Sequence, residues 1–333
     1  MLHGWTVLQI CLRSCKSCAR NSGWQLNCPL FLAFQLGTVS KYNWTPKRKE
    51  TLSPDGEGSM IQKLEMTVLI DNVAEEPLAG EWGLSILITA DGRKLLLDTG
   101  SSGLFARNAD CLGIDLGSVD IGVLSHAHYD HADGMETFFS LNRSAPFLVR
   151  EGTCENCYGI KEGLLRYIGI QSGVLKKHEE RIRYVSGVHT ITEGIWLVPH
   201  RRADYSSIAL RNDLYTVSND ERVPDDFAHE QSLVIETGQG LVVFNSCSHT
   251  GMTNILTDIR EMLGRSDVCA YVGGLHLYKM TDGELDALCV EIQRTPVAHI
   301  FTGHCTGDHA FSFLKERLGE RIGQFSSGFR FFF

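Results

Sequence analysis

The stretch that most constrains this chain is a short apolar run ending in four side chains of metal-ligand type. Val119-Asp-Ile-Gly-Val-Leu-Ser125 has the character of a buried strand, and it passes directly into His126-Ala-His128-Tyr-Asp130-His131. Packing alone does not account for four such groups in six residues. His126 and His128, two apart, point the same way if the strand continues. A turn then brings Asp130 and His131 to a second position. Imidazole nitrogens and a carboxylate suit zinc, iron or manganese. Such a cluster needs partners from elsewhere in the chain.

Three further histidines follow apolar strands, where open sheets place their ligand sites. His249 lies in Ser246-Cys-Ser-His249-Thr-Gly251 after the run 241–244, and His304 lies in Thr302-Gly-His304-Cys-Thr-Gly307 after 297–301. His276 lies in Gly273-Gly-Leu-His276-Leu277 after 268–272. His276 and His229, which precedes the run 232–236, are candidate additional metal or substrate residues. Asp98 closes Leu95-Leu-Leu-Asp98-Thr-Gly100. From there a carboxylate can bond the far nitrogen of a ligating histidine and fix its tautomer. His178, His189, His200, His299 and His309 have no motif around them and read as surface or packing residues.

The rest of the chain of 333 residues is patterned as a globular α+β protein. Two apolar runs, 83–90 and 93–97, flank Asp91-Gly92, a strong hairpin signal. Helical spacing covers 101–112, 133–141, 253–263, 282–292 and 310–318. Strand character covers 66–70, 119–124, 232–236, 241–244, 268–272 and 297–301. Hairpins first, then alternating strand and helix, argue for mixed sheets covered by helices. Residues 150–220 show no clear pattern and are expected to form an insertion on the substrate side. Arg201, Arg202 and Tyr205 are candidate anion or ring contacts there, and Cys154-x-x-Cys157 is a weak redox or zinc signal.

Residues 1–59 differ in charge from the remainder of the chain. They hold seven basic and three acidic side chains, a balance of +4, which leaves −13 of the chain's net −9 for residues 60–333. An Arg-rich leader of this kind can be an organelle transit peptide. Cys11, Cys15 and Cys18 have a spacing that can hold an iron–sulfur cluster. The plainest reading is an extension outside the folded domain, which would span 60–333. The acidic balance speaks against a general nucleic-acid surface, and no apolar run is long enough to span a membrane. The 11 cysteines, in a chain able to build a core without staples, read as reduced thiols of a cytoplasmic protein.

Asp98-Thr-Gly100, His126-x-His128-x-Asp130-His131 and single late histidines after strands resemble the signature of the metallo-β-lactamase superfamily, over residues 66–333. A finer similarity lies in Leu69-Ile-Asp-Asn72, Trp82-Gly-Leu-Ser85, Cys247-Ser-His249, Gly273-Gly-Leu-His276-Leu277 and Thr302-Gly-His-Cys-Thr-Gly307. These resemble the 7,8-dihydropterin-6-yl-methyl-4-(β-D-ribofuranosyl)aminobenzene 5′-phosphate synthase subgroup, whose activity joins a pterin to an aminobenzene ribosyl phosphate. The resemblance implies a four-layer αβ/βα sandwich, with one or two divalent metal ions, zinc before iron or manganese, at one edge of the sheets. His126, His128 and His249 would hold one metal; Asp130, His131 and His304 would hold a second or share a single site. Asp130 would also orient water or act as base. The bridging Asp usual in binuclear members is absent from Asn245-Ser-Cys247-Ser-His249, so Cys247 or His249 must take that work.

The expectation is therefore a metal-dependent hydrolase or pterin-coupling transferase acting on a small-molecule substrate, without nucleic-acid or membrane partners. The chain is also compatible with a homo-oligomer. The competing readings are a catalytically silent metal-binding sensor and a phosphodiesterase or nuclease on the same fold.

Overall fold

A computed structural model describes residues 60–200 and 204–333. In chain order its strands are β1 (Leu64–Ile70), β2 (Ser85–Ala90), β3 (Arg93–Leu97), β4 (Ile121–Val123), β5 (Phe147–Arg150), β6 (Tyr158–Lys161), β7 (Leu164–Tyr167), β8 (Ile182–Val185) and β9 (His189–Thr192). They continue as β10 (Ile195–Pro199), β11 (Leu214–Ser218), β12 (Glu221–Pro224), β13 (Gln231–Thr237), β14 (Gly240–Phe244), β15 (Val268–Val272), β16 (His299–Thr302), β17 (Ile322–Gln324) and β18 (Arg330–Phe332). One seven-stranded sheet has the order β18-β1-β2-β3-β4-β5-β8, and a second has β17-β16-β15-β14-β13-β10-β9. Three strands of a four-stranded sheet, β12-β11-β6-β7, come from the stretch 150–220 that has no clear pattern in the sequence, and β12 lies just past its end.

Strand alternation explains the layering. Ile86 and Ile88 of β2, Leu95 and Leu97 of β3, Leu233 and Ile235 of β13, and Val242 and Phe244 of β14 all enter one core between the two large sheets. The intervening residues face outward onto helices. Leu87 and Leu96 pack with Phe105, Met135 and Phe138, while Val234, Val243 and Tyr271 pack with Ile255, Leu285 and Leu314. Both faces of each sheet are therefore apolar, as a sandwich covered by helices requires. In β1 a register shift between Val68 and Ile70 turns Leu69 and Ile70 together to the helix side. The result is the four-layer αβ/βα sandwich.

The helices are α1 (Leu104–Cys111), α2 (Tyr129–Ala132), α3 (Met135–Leu141), α4 (Val174–Lys177), α5 (Ser206–Asn212), α6 (Met252–Leu263), α7 (Asp282–Arg294) and α8 (Asp308–Leu318). Two differ from the sequence expectation. The helix expected over 101–112 begins only at Leu104, because the Glu81 carboxylate accepts from the Ser101 amide at 3.1 Å and the Ser102 hydroxyl at 2.6 Å. The helix expected over 133–141 begins only at Met135, and a separate short helix, α2, precedes it. A side chain at Gly134 would meet the carbonyl oxygens of Thr99 and Ser102, so the chain pauses before α3 and leaves Asp130 and His131 on a separate turn. The leader, with Cys11, Cys15 and Cys18, lies outside the described residues, as do Arg201 and Arg202. Among the described residues no helix is long and apolar enough to cross a membrane.

β3, β4, β5 and β8 run parallel, as do β14, β15, β16 and β17. The loops after β3, β4, β14, β15 and β16 all carry the polar residues that stand out in the sequence. Gly273, with φ +136°, joins β15 to the loop bearing His276, and a Cβ there would collide with the Asn245 carbonyl oxygen. Gly273→Ala should therefore lower unfolding free energy by about 3 kcal/mol or more in chemical denaturation. Gly238→Ala, which meets nothing within 4 Å, should change it by about 0.5 kcal/mol or less.

Candidate metal centre

The cluster is assembled around Asp98, which is fully buried and has φ +61°. Its Oδ1 accepts from the Ser125 amide at 2.7 Å, and its Oδ2 accepts from the Ser125 hydroxyl at 2.7 Å. The same Oδ2 lies 2.8 Å from His131 Nδ1. This arrangement makes Nδ1 the protonated nitrogen of His131 and leaves its Nε2 lone pair facing the cluster. Ser125 Oγ, whose hydroxyl donates to Asp98, accepts from His126 Nδ1 at 2.8 Å, so His126 also presents Nε2.

The late histidines are aimed from the opposite sheet. Asn72 donates to the His304 carbonyl at 3.0 Å, which leaves its Oδ1, also at 3.0 Å, to accept from His304 Nδ1. Asp71 Oδ1 accepts from the His304 amide at 2.9 Å. Glu230 shapes the other loop, accepting from the amides of His249 and Thr250 at 2.8 and 3.0 Å and from the Thr250 hydroxyl at 2.7 Å. Gln231 ties the two sheets together behind the site, with its amide on the Ser125 carbonyl and its side chain on the Leu124 carbonyl. Phe227, Ser248, His276 and His304, like Asp98, have positive φ. Backbone strain is thus concentrated at this cluster, as at many functional sites.

Two nitrogen pairs result. His126 Nε2 lies 3.2 Å from His249 Nε2, and His131 Nε2 lies 3.2 Å from His304 Nε2. These separations are close to the ~3.3 Å edge of a tetrahedron with metal–nitrogen bonds of about 2.0–2.1 Å. Donor atoms of His126, His128 and His249 fall within 4.8 Å of one another, as do those of His126, His131 and Cys247. Asp130 Oδ2 lies 3.3 Å from His304 Nε2 and 3.8 Å from His131 Nε2. All of these side chains are buried, and the donor set fits divalent transition metals.

Cys247 occupies the middle. Its sulfur is 3.2 Å from His131 Nε2, and it shares further donor groups with His249 and His276 and with His304 and Cys305. His276 packs its ring 4.3 Å from that of His249 and 4.9 Å from Tyr278.

Charge states follow from burial. Burial, together with the neighbouring His131 and His128, holds His126 well below the ordinary imidazole range. Burial and His276 do the same to His249. Both rings are therefore neutral and ready to coordinate. Burial raises Asp130, but His131 and a hydrogen bond to His304 outweigh it and hold the carboxyl well below its usual range. For His304, burial lowers the pKa, but the bond to Asp130 and the charge of Cys305 raise it to about 9.

Several assignments change on this geometry. His229 does not face the His126–His249 pair. Its Nδ1 accepts from the Ala127 amide at 3.1 Å, while Nε2 faces Asp225 Oδ2 at 3.2 Å and Cys157 Sγ at 3.6 Å. With His128, these three form a separate buried donor group behind the His-x-His segment. Cys157 therefore belongs with His229, and Cys154 is exposed. Tyr205 is not a substrate contact. It is buried with Ala209, Leu214 and Phe227, and only Phe227 reaches the site, stacking 5.3 Å from the His249 ring. The unpatterned stretch does come close: the Ile168 carbonyl accepts from the Tyr129 amide at 2.9 Å. Sequence reasoning gave no site role to Glu230, Asp225 or Cys305. Glu230 adjoins His229 and Cys305 adjoins His304, but adjacency carries no geometric information.

The family model of the Metallo-beta-lactamase superfamily matches residues 83–253, and the chain belongs to that superfamily. It is similar to the 7,8-dihydropterin-6-methyl-4-(beta-D-ribofuranosyl)-aminobenzene-5'-phosphate synthase of Methanocaldococcus jannaschii, at 24% identity over 80% of this chain and 96% of the relative. It is also 24% identical to the uncharacterized protein MJ0448 of the same organism, over 75% of this chain and 93% of that one. Among solved structures, Tm1679, a metal-dependent hydrolase of the beta-lactamase superfamily, aligns with a TM-score of 0.68 at 29% identity, covering 80% of this chain and 98% of that one.

Two outcomes test the site. His304, raised to about 9, carries a proton at pH 7 that a metal at Nε2 must displace. Apparent metal affinity should rise roughly tenfold per pH unit from 7 towards 9 and then level off, with proton release visible by calorimetry in buffers of different ionisation enthalpy. Asp98→Ala strands the Ser125 amide and His131 Nδ1. It should cost about 2 kcal/mol or more of stability and about 10–100-fold in metal affinity, measured by denaturation and competitive chelation.

Proposed function

We propose that the protein is a metal-dependent enzyme that acts on a small, planar, phosphorylated or pterin-like substrate. The observation that carries this reading is the pairing of histidine Nε2 atoms at 3.2 Å across the sheets, His126 with His249 and His131 with His304. In three of the four rings, Nδ1 is already engaged by Ser125, Asp98 or Asn72. The Nε2 lone pairs of His126 and His131 are thereby turned into the buried cluster, and that of His304 joins them once its proton is released, an arrangement that a cation would bind. His126, His128 and His249 would hold one ion, and Asp130, His131 and His304 a second, with Cys247 between them where a bridging carboxylate is usual. Zinc is the metal these nitrogen, sulfur and oxygen donors suit best. A divalent ion there supplies Lewis acidity and a water of lowered pKa.

The chain's own residues do the remaining work. Asp130 is held ionised by His131 and His304, so it is a weak base and a strong hydrogen-bond acceptor. Its role is to orient the attacking water or amine. Trp82 and Tyr278 are each about half exposed, and their rings lie 5.0 Å from His304 and 4.9 Å from His276. Two aromatic faces on the rim suit a flat heteroaromatic ring. The synthase named among the relatives and the hydrolase named among the solved structures support coupling and hydrolysis respectively, and the two chemistries share these ligands.

The test combines metal analysis with turnover of pterin and phosphoester libraries. Turnover should be abolished by chelator and restored by zinc. Asp130→Asn should keep the metal of the second position weakly and lose about 10²–10⁴-fold in kcat. An unchanged kcat would remove Asp130 from the mechanism, and chelator-resistant turnover would overturn the metal-dependent reading.

A further inference from the structure

We propose that Cys305 is a metal ligand, so that the second metal position carries two sulfur donors, Cys247 and Cys305, beside His304, His131 and Asp130. This rests on the metal-dependent reading of the site and goes beyond it by adding a ligand and the metal class it selects. The two sulfurs lie 3.4 Å apart. Donor atoms of Cys247, His304 and Cys305 fall within 4.8 Å of one another, and all three residues are buried. Cys247 Sγ is 3.2 Å from His131 Nε2, which is itself 3.2 Å from His304 Nε2. Three contacts of 3.2–3.4 Å thus link four soft or borderline donors, Cys305, Cys247, His131 and His304, in one buried group.

The backbone makes room for this sulfur. Gly274 lacks a Cβ where one would meet Cys305 Sγ at 2.5 Å and the Ser246 carbonyl at 2.9 Å. His304, in the left-handed region at φ +47°, turns the chain so that consecutive residues 304 and 305 both face inward. Two thiolates would bias the position toward thiophilic ions such as zinc or iron(II) and away from manganese or magnesium.

The test uses the full chain loaded with cobalt(II), whose thiolate charge-transfer absorption in the near ultraviolet reports sulfur ligation independently of turnover. Cys305→Ser and Cys247→Ser should each remove about half of the absorption the pair contributes, and the double variant should remove all of it, since each thiolate adds its own band. If Cys305→Ser takes up cobalt with an unchanged spectrum, Cys305 is no ligand, and the broader metal reading survives. If the unaltered chain takes up no cobalt, zinc or iron, both fail. Should the serine variant not fold, anomalous diffraction from zinc-loaded crystals of the unaltered chain decides directly. A Cys305 Sγ–zinc distance near about 2.3 Å supports the assignment, and one beyond about 3 Å overturns it.

Discussion

A single buried carboxylate holds this site together. Asp98 sits at the end of β3 with no access to solvent and accepts from both groups of Ser125 at the end of β4, while bonding His131 Nδ1. Three consequences stem from one side chain. The ends of two parallel strands are locked together, the tautomer of His131 is set, and Ser125 is turned so that it sets the tautomer of His126. A buried charge is costly unless it is fully hydrogen-bonded, so Asp98 tolerates few alternative arrangements of these loops.

The opposite half of the site is aimed by a second set of polar residues that work through backbone groups. Asp71 and Asn72 grip the His304 segment, and Glu230 grips the His249 segment. Gln231 fastens the second sheet to the carbonyls of Leu124 and Ser125 in the first. The sandwich core between the sheets sets their separation, and these bonds set their registration at the edge. Imidazoles from both sheets then meet at 3.2 Å. Interdigitated apolar cores have few alternative packings, which lets a rigid scaffold hold like groups this close.

The electrostatics divide the cluster into two characters. His126 and His249 are desolvated and surrounded by other imidazoles, so they remain neutral. Asp130 and His304 form a charged pair, one pushed down and the other up to about 9. The half with His126 and His249 is ready to accept an ion, while the other half must release a proton first. His229 lies behind both, its Nδ1 occupied by the Ala127 amide, and its partners are Asp225 and Cys157.

Much of this was legible in the residues alone. The strand running into His126–His131, the hairpin around Asp91-Gly92 and the single histidines after apolar runs are local patterns, and local patterns survive in sequence because periodicity and turn chemistry act over a few residues. Asp98 was legible as a partner because it closes a strand. The third sheet was not, since its strands β6, β7, β11 and β12 are short and partly exposed, which erases the apolar alternation. Tyr205 looked like a ring contact and is a core residue, because only packing against Phe227 decides which way it faces. The amino-acid sequence by itself determined which donor types exist and that they fall at strand ends. The tertiary structure decided which of them meet: His249 against His126, His229 with His128, Asp225 and Cys157, Cys247 at the centre, Cys305 beside it. That choice depends on how two sheets far apart in the chain register against one another, and no local pattern encodes a distance between them.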